Sequence, residues 1–417
     1  MTSIAFLLGA CLLVAMSPAP TGALAQSASD TPVTSAHALA TFDQVWTLVR
    51  DKFYDSHLKG VDWNAVGAKY RTEAGATHSQ EELAALINRM LHELPASHLG
   101  YYTPADTAYY DLITILSSHP RALEGSLPAG VISYPGIGIF TRSIEGKTFI
   151  TGVLDGFAAS RAGLLVGDEI IDVDGGPFAP VESFRGKIGK ETSIGIRRTR
   201  DGPIQHVAVM VQKIVPRSAY LQAMATSARV IASDGSSIGY VRVWTLYEKE
   251  YEAALRVIFF RGVLSKADAL VVDIRDGWGG GTPDVLQYFG HDMPLVRSMS
   301  RSLVRQVANP RWRSPVALLV NQGTRSMKEI IAYGFQKYGY GDLIGTRTAG
   351  AVLGAHGFLL DDGLLLLPAF DIETDGQTLE GRGVTPTIEV PFDIRYADGH
   401  DPQLDRAVAD LVEKLRQ

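Results

Sequence analysis

The sequence predicts an α/β core on a mostly parallel sheet, with an N-terminal helical segment before it and a small β domain inserted between the two. Three observations carry this expectation. From Pro216 onward apolar strand-like runs alternate with helical spacing, and Val316-Ala317-Leu318-Leu319-Val320 is apolar on both faces, as a strand covered on each side must be. Between Gly125 and Val215 the texture changes to short β-rich runs separated by glycines, such as GVISYPGIGIF and GKTFITGVL. Before residue 120, apolar residues recur three and four apart. A chain of 417 residues, 46% hydrophobic and 20% charged, has core material for two or three domains at roughly 100–200 residues each. The expected segments are a leader at 1–25, a flexible lead-in at 26–36, a helical domain at 37–120, the β domain at 125–215 and the α/β core at 216–417.

The elements follow in chain order. Ile4 to Met16 is an apolar run, followed by Pro and Gly and then Ala23-Leu24-Ala25, the pattern of a secretory signal cleaved after Ala25. The run is too short to span a bilayer comfortably, so no membrane span is expected after cleavage. Cys11, the only cysteine, falls in this segment, which leaves the mature chain no thiol for a disulfide, a metal site or a nucleophile. Gln26 to Ala36 is rich in Ser, Thr, Ala and Pro. Phe42, Val45, Trp46, Val49 and Phe53 then line one helix face, and a second helix opens at Ser79 with Glu82 three residues on. Pro95 stops that helix, and Ala96-Ser97-His98-Leu99-Gly100 delivers a histidine on a loop; His92, before the stop, reads as solvent-facing. In the β domain, Ser160 to Gly175 reads as a helical turn, a Gly167-Asp168 turn, the strand Glu169 to Val173 and a closing turn, and resembles a PDZ domain of the kind found in bacterial processing proteases. The core reads as strands at 237–244, 268–274, 315–320 and 364–367, with helices at 248–262 and 326–338.

Composition narrows the partners. The net charge is -6 and no dense Lys/Arg block occurs, which removes the electrostatic footprint of a nucleic-acid or anionic-membrane binder. No HExxH or clustered acid/His pattern occurs, so neither a metal nor a cofactor is expected.

Two turns hold the candidate chemistry. Ser326 with Glu329 reads as a capping box, worth about 1 kcal/mol with no chemistry implied. A helix N-terminus is equally where a serine oxygen and a developing oxyanion are well placed, because free N–H groups and the positive dipole end point there. The second turn, Asp273-Ile274-Arg275-Asp276-Gly277-Trp278-Gly279-Gly280-Gly281, ends a strand in glycines that allow close backbone approach. Both turns lie at the carboxyl ends of expected neighbouring strands, the edge where α/β sheets bind ligands, and the amides of Gly279 and Met327 are candidates for an oxyanion hole. Lys328 and Lys337 on the same helix read as solvated side chains.

Taken in order, Val61-Asp62-Trp63, ELPASHLGYYTP, the PDZ-like segment, DIRDGWGGG, TRSMKEI, GTRTAGAVLG and LEGRGVTPTIEV resemble the tail-specific, or carboxyl-terminal processing, protease family of serine peptidases. The resemblance implies an α/β protease core with Ser326 as nucleophile. In the better known bacterial branch a lysine in a Gly-Lys-Gly turn is the base; here the turn reads Thr348-Ala349-Gly350-Ala351-Val352, with Ala351 in the lysine's place. The tricorn-type branch implies a different set, with His98 as proton acceptor and Ser97 and Glu380 supporting it, while His356 is the competing base. The resemblance also implies polypeptide substrates with exposed tails, added as a strand along Tyr134, Gly136, Ile137, Gly138 and Ile139. The expected function is a secreted or periplasmic serine endopeptidase of exported proteins. The alternative is an inactive peptide-binding scaffold whose base was lost at Ala351.

Overall fold

The computed structural model describes residues 32–119, 121–290, 296–299, 305–308 and 311–417. The expected leader, and the lead-in up to residue 31, lie outside them. The lead-in ends earlier than expected: the first helix is Ser35–Lys52, with the Thr34 hydroxyl accepting from the His37 N–H at 3.3 Å.

The central sheet runs Arg229–Ser233, Ser236–Arg242, Ala269–Asp273, Val316–Val320, Asp342–Gly345, Ile388–Glu389 in spatial order. Its first pair is antiparallel and the other pairings are parallel. The continuous apolar runs have a direct cause, since successive side chains enter opposite layers. Val271, Ala317 and Leu319 pack with Ala407 and Leu411 of the helix Pro402–Arg416. Leu270, Val272, Leu318 and Val320 face the layer that holds the helices Pro216–Ser227, Lys249–Phe260 and Met327–Lys337.

A second sheet explains how the N-terminal segment reaches the core. Gly100–Tyr102 pairs antiparallel with Gly363–Phe370, which pairs in turn with Gly354–Leu360. Helices Ser35–Lys52, Trp63–Ala74 and Gln80–Leu91 bury Phe42, Val45, Leu86 and Met90 against Tyr101, Leu365 and Leu367 of this sheet. The Ser79 cap is present: its hydroxyl accepts from the Glu82 N–H at 3.2 Å, and Glu82 accepts from the His78 N–H.

The inserted β segment is an antiparallel sheet in the order Ile139–Ile144, Lys147–Val153, Glu169–Val173, Glu191–Arg197, Gln205–Met210, around a core of its own that includes Ile150, Phe184 and Ile196. Its edge strand leans on the core through Phe140, whose ring stacks on Trp244 at 5.0 Å and on Tyr220 at 6.0 Å. No helix among the described residues is long and apolar enough to cross a membrane.

Candidate active site

Ser326 sits between the strand Val316–Val320 and the helix it caps, with φ 57° and ψ -131°. A non-glycine residue at positive φ carries strain of order 1–3 kcal/mol, so its surroundings must hold it there. Two acceptors do so. The Ser326 N–H donates to the Ala351 carbonyl at 2.7 Å and to Glu329 Oε2 at 3.3 Å, the latter one half of the capping box. Glu329 is fully buried and also accepts from the Thr348 hydroxyl and the N–H groups of Gly350 and Ala351, at 2.6–2.7 Å. Burial pushes this carboxyl up, and those four donors pull it back. The turn that lacks a lysine is therefore fixed to the serine's helix through Glu329.

The glycine-rich turn lies directly against the serine. A methyl group on Gly279 would come within 2.3 Å of Ser326 Cβ and 2.8 Å of Oγ, so glycine alone fits. The turn rests on residues 244–247: the Trp278 N–H donates to the Trp244 carbonyl at 2.8 Å, and the Thr245 hydroxyl donates to the Gly279 carbonyl at 2.8 Å. The Trp278 indole N–H donates to Asp111 Oδ2 at 3.1 Å. Among the described residues no acceptor takes the N–H of Gly279 or of Met327, so both remain available to an oxygen beside Ser326.

His98 comes from the loop after Pro95 and, like Ser326, has positive φ, 54°. The helix Gln80–Leu91 ahead of the loop and the strand Gly100–Tyr102 behind it fix the loop at both ends. Ser97 Oγ lies 2.9 Å from His98 Nδ1 and donates to Glu380 Oε2 at 2.9 Å; the Ser97 N–H donates to Glu380 Oε1 at 2.9 Å. A hydroxyl has one proton, and here it goes to the carboxylate, so the histidine side of the contact must be Nδ1–H donating to Ser97. That tautomer leaves the Nε2 lone pair free to accept. Glu380 is held further by the Val352 N–H at 2.7 Å, which ties the relay to the turn after Ala351. Burial, and then the nearby Arg325 guanidinium, push the half-buried imidazole down, to about 3, so it is neutral at pH 7.

His98, Ser326 and Gly279 line one cavity of 590 Å³, walled mostly by apolar side chains such as Leu112, Leu116 and Leu366. His356 lines it too, but packs edge-on against Phe370 at 5.0 Å, and among the described residues no hydrogen-bond partner orients its ring. Of the expected strand-addition residues, Tyr134, Gly136, Ile137 and Gly138 are buried. Tyr134–Gly136 already pairs with Gln212–Ile214, and the carbonyls of Ile137 and Gly138 accept from Ala159 and Leu154. The open sheet edge starts at Ile139. Lys337 is half-exposed and pairs with Asp375, as a solvated side chain does.

Lys328 is a correction. It was expected in solvent and is fully buried, its ammonium donating to the carbonyls of Val243 and Trp244 at 3.4 Å and to that of Asp276. The second helical position faces inward because the serine's helix begins against the glycine turn, so helical spacing counted from Ser326 misassigns that face. Arg325 and Thr245 have no signal in the sequence pattern, and Glu329 had one only as the capping-box partner of Ser326, not as the group that also holds the turn at Thr348 to Ala351. Among the described residues, no group of His, Cys, Asp and Glu could hold a metal ion.

Comparison with known proteins agrees with this architecture. Residues 237–390 match Peptidase family S41, and residues 35–92 match the Tricorn protease C1 domain. The chain is 28% identical over 400 residues to Tricorn protease homolog 1 of Streptomyces coelicolor, covering 90% of this chain and 35% of that protein. It is 24% identical over 416 residues to the chloroplastic carboxyl-terminal-processing peptidase 3 of Arabidopsis thaliana, covering 92% of this chain and 74% of that one. The chain thus spans about a third of the length of the tricorn relatives it matches. The crystal structure of the tricorn protease shares the fold with a TM-score of 0.53 at 19% identity, over 92% of this chain and 37% of that one. Mature CPAF does so with 0.51 at 15% identity, over 91% and 98%. The part that matches Peptidase family S41, residues 237–390, holds Ser326, Gly279 and Glu380, and the part that matches the Tricorn protease C1 domain, residues 35–92, ends just before Ser97.

Proposed function

We propose that the protein is a serine endopeptidase working by acyl transfer. Ser326 Oγ attacks a peptide carbonyl while its proton passes to His98 Nε2. The carbonyl oxygen, now an oxyanion, takes the Gly279 and Met327 N–H groups. His98 returns the proton to the departing amine, and water hydrolyses the acyl-enzyme with the same base. Glu380, through Ser97, holds the Nδ1–H tautomer and stabilises the imidazolium once it forms. The observation that carries this reading is the Glu380–Ser97–His98 hydrogen-bond chain ending in the cavity that contains Ser326. It also weighs against an inactive scaffold, because a base is supplied without the lysine that Ala351 replaces.

The leader at 1–25 favours exported polypeptides as substrates, in a secreted or periplasmic setting. The β segment, in this reading PDZ-like, takes an exposed tail along the edge strand Ile139–Ile144, with Tyr134, Gly136, Ile137 and Gly138 forming the buried support behind it. The test is cleavage of an unstructured protein with an apolar tail by the wild type, Ser326→Ala and His98→Ala. We expect the wild type to cleave and both folded variants to lose on the order of 10²–10⁴-fold in kcat/KM. A wild type that binds the tail without cutting it would establish the scaffold reading instead.

A further inference from the structure

Among the buried titratable groups that the peptidase mechanism leaves unused, Lys328 lies two residues from the nucleophile. It is not a second base for Ser326, since its ammonium is committed to three carbonyls of another part of the chain. Those carbonyls are specific. Val243 and Trp244 open the segment that follows the strand Ser236–Arg242, and Asp276 opens the glycine turn. The same strip carries the rest of the turn. The Trp278 N–H meets the Trp244 carbonyl, Thr245 holds the Gly279 carbonyl, and a methyl on Gly277 would lie 2.3 Å from the Trp244 oxygen. Three carbonyl dipoles converging in the interior would repel one another without a cation between them.

Resting on the proposed peptidase function, we propose that Lys328 is a positioning residue for the oxyanion hole: it clamps Asp276 to the Val243-Trp244 strip, and Thr245 completes the clamp, so that the Gly279 N–H is aimed at the oxygen of the carbonyl under attack. The helix that begins at Ser326 thereby carries both the nucleophile and the part that fixes the opposing amide. The charged groups around the ammonium are Asp276 and Asp273, which favour its charge, and Arg242 and Arg325, which oppose it. Burial outweighs the carboxylates and brings the amine down to about 7. A neutral amine has one N–H fewer than an ammonium, so the clamp loosens as pH rises through this range.

The experiment compares wild type, Ser326→Ala, Lys328→Met and Thr245→Val by steady-state kinetics between pH 5 and 9, with amide hydrogen exchange across residues 276–280. A small displacement of a positioning group costs on the order of 10²-fold in rate. The expected result is a kcat loss of that order in Lys328→Met with KM within about twofold, a smaller loss of the same kind in Thr245→Val, and faster exchange of the turn amides in both. Wild-type kcat should fall above pH 7, and Lys328→Met should lack this decline. Should Lys328→Met fail to fold, Thr245→Val and the wild-type pH profile still decide. Unchanged kcat with unchanged turn exchange, or kcat and KM changing together with a flat wild-type profile, would overturn the positioning role. A wild type no faster than Ser326→Ala would instead sink the peptidase reading, and the exchange data would still report whether Lys328 holds the turn.

Discussion

A histidine that takes a proton from serine has to arrive uncharged, and at the residue scale His98 is held in that state by burial and by Arg325. The acid limb of kcat/KM should therefore fall well below pH 6.5, and Arg325→Gln, which removes the repulsive cation, should move that limb upward in a pH–rate profile. Stability follows the same linkage. The folded pKa lies below the unfolded value of about 6.5, so the unfolded chain binds the extra proton, and stability present above pH 6.5 is lost as pH falls toward 3. Ser97→Ala keeps the imidazole but removes the acceptor of Nδ1–H, for which we expect a kcat loss of about 10–100-fold, as for other second-layer partners of a functional histidine. Measured beside His98→Ala, it should be the milder change; an equal loss would mean that Ser97 does more than orient the ring. Ser97, His98, Glu380 and Ser326 were legible because each stands in a short local motif. Lys328 and Arg325 were not, because their roles depend on which segment lies opposite them, and helical spacing does not encode that.

At the scale of elements, the glycine turn is where geometry is least forgiving. Gly279→Ala would put a methyl into Ser326 itself, so the turn or the serine must move, and kcat should fall by on the order of 10²-fold or more while the protein still melts cooperatively. Asp111, on the helix Thr107–Ser117, supports the turn from its other side through the Trp278 indole, and burial pushes this carboxyl up, to about 7. The folded state then keeps a proton that the unfolded chain releases above about pH 3.8, so stability declines as pH rises from there through 7. Asp111→Asn retains an acceptor for the indole and cannot ionise. Its melting temperature should accordingly lose that decline and exceed the wild type's at pH 8; a decline that persists in the variant would assign it to another group. The strands Ser236–Arg242, Ala269–Asp273 and Val316–Val320 and the helices Lys249–Phe260 and Met327–Lys337 were legible to within about two residues at their ends, since apolar periodicity marks them, whereas the strands Arg229–Ser233 and Asp342–Gly345 and the helices Pro216–Ser227 and Pro402–Arg416 were not read from it. The pairing of Gly100–Tyr102 with Gly363–Phe370 was not, because a contact between segments so distant in sequence leaves no local pattern, although it is what brings His98 to the core.

For the whole molecule, the question is what keeps the β segment docked on the α/β core. A strap formed by residues 391–401 does much of this. The Tyr396 N–H donates to the Gly167 carbonyl at 2.9 Å, its hydroxyl donates to Glu169 at 2.8 Å, and its ring meets Phe149 edge-on at 5.2 Å. At its far end Asp401 caps the helix Pro402–Arg416 and pairs with the buried Arg275, one residue before Asp276. The sequence showed Gly167-Asp168 as a turn, which it is, but not that a second segment lies against it. Gly167 has φ +94°, and a methyl there would sit 2.1 Å from the Ile394 carbonyl, so Gly167→Ala must displace the strap. Gly163, in the same segment, has φ +78° with nothing within 4 Å of a methyl group, so Gly163→Ala carries the backbone strain alone, about 1 kcal/mol or more. The difference between the two melting temperatures isolates the docking contact: Gly167→Ala should melt lower, with faster amide exchange in residues 391–401 and unchanged exchange in the central strands Ala269–Asp273 and Val316–Val320. If the two variants melt alike, the strap contributes nothing measurable, and the Phe140 stack on Trp244 and Tyr220 becomes the contact that docks the β segment.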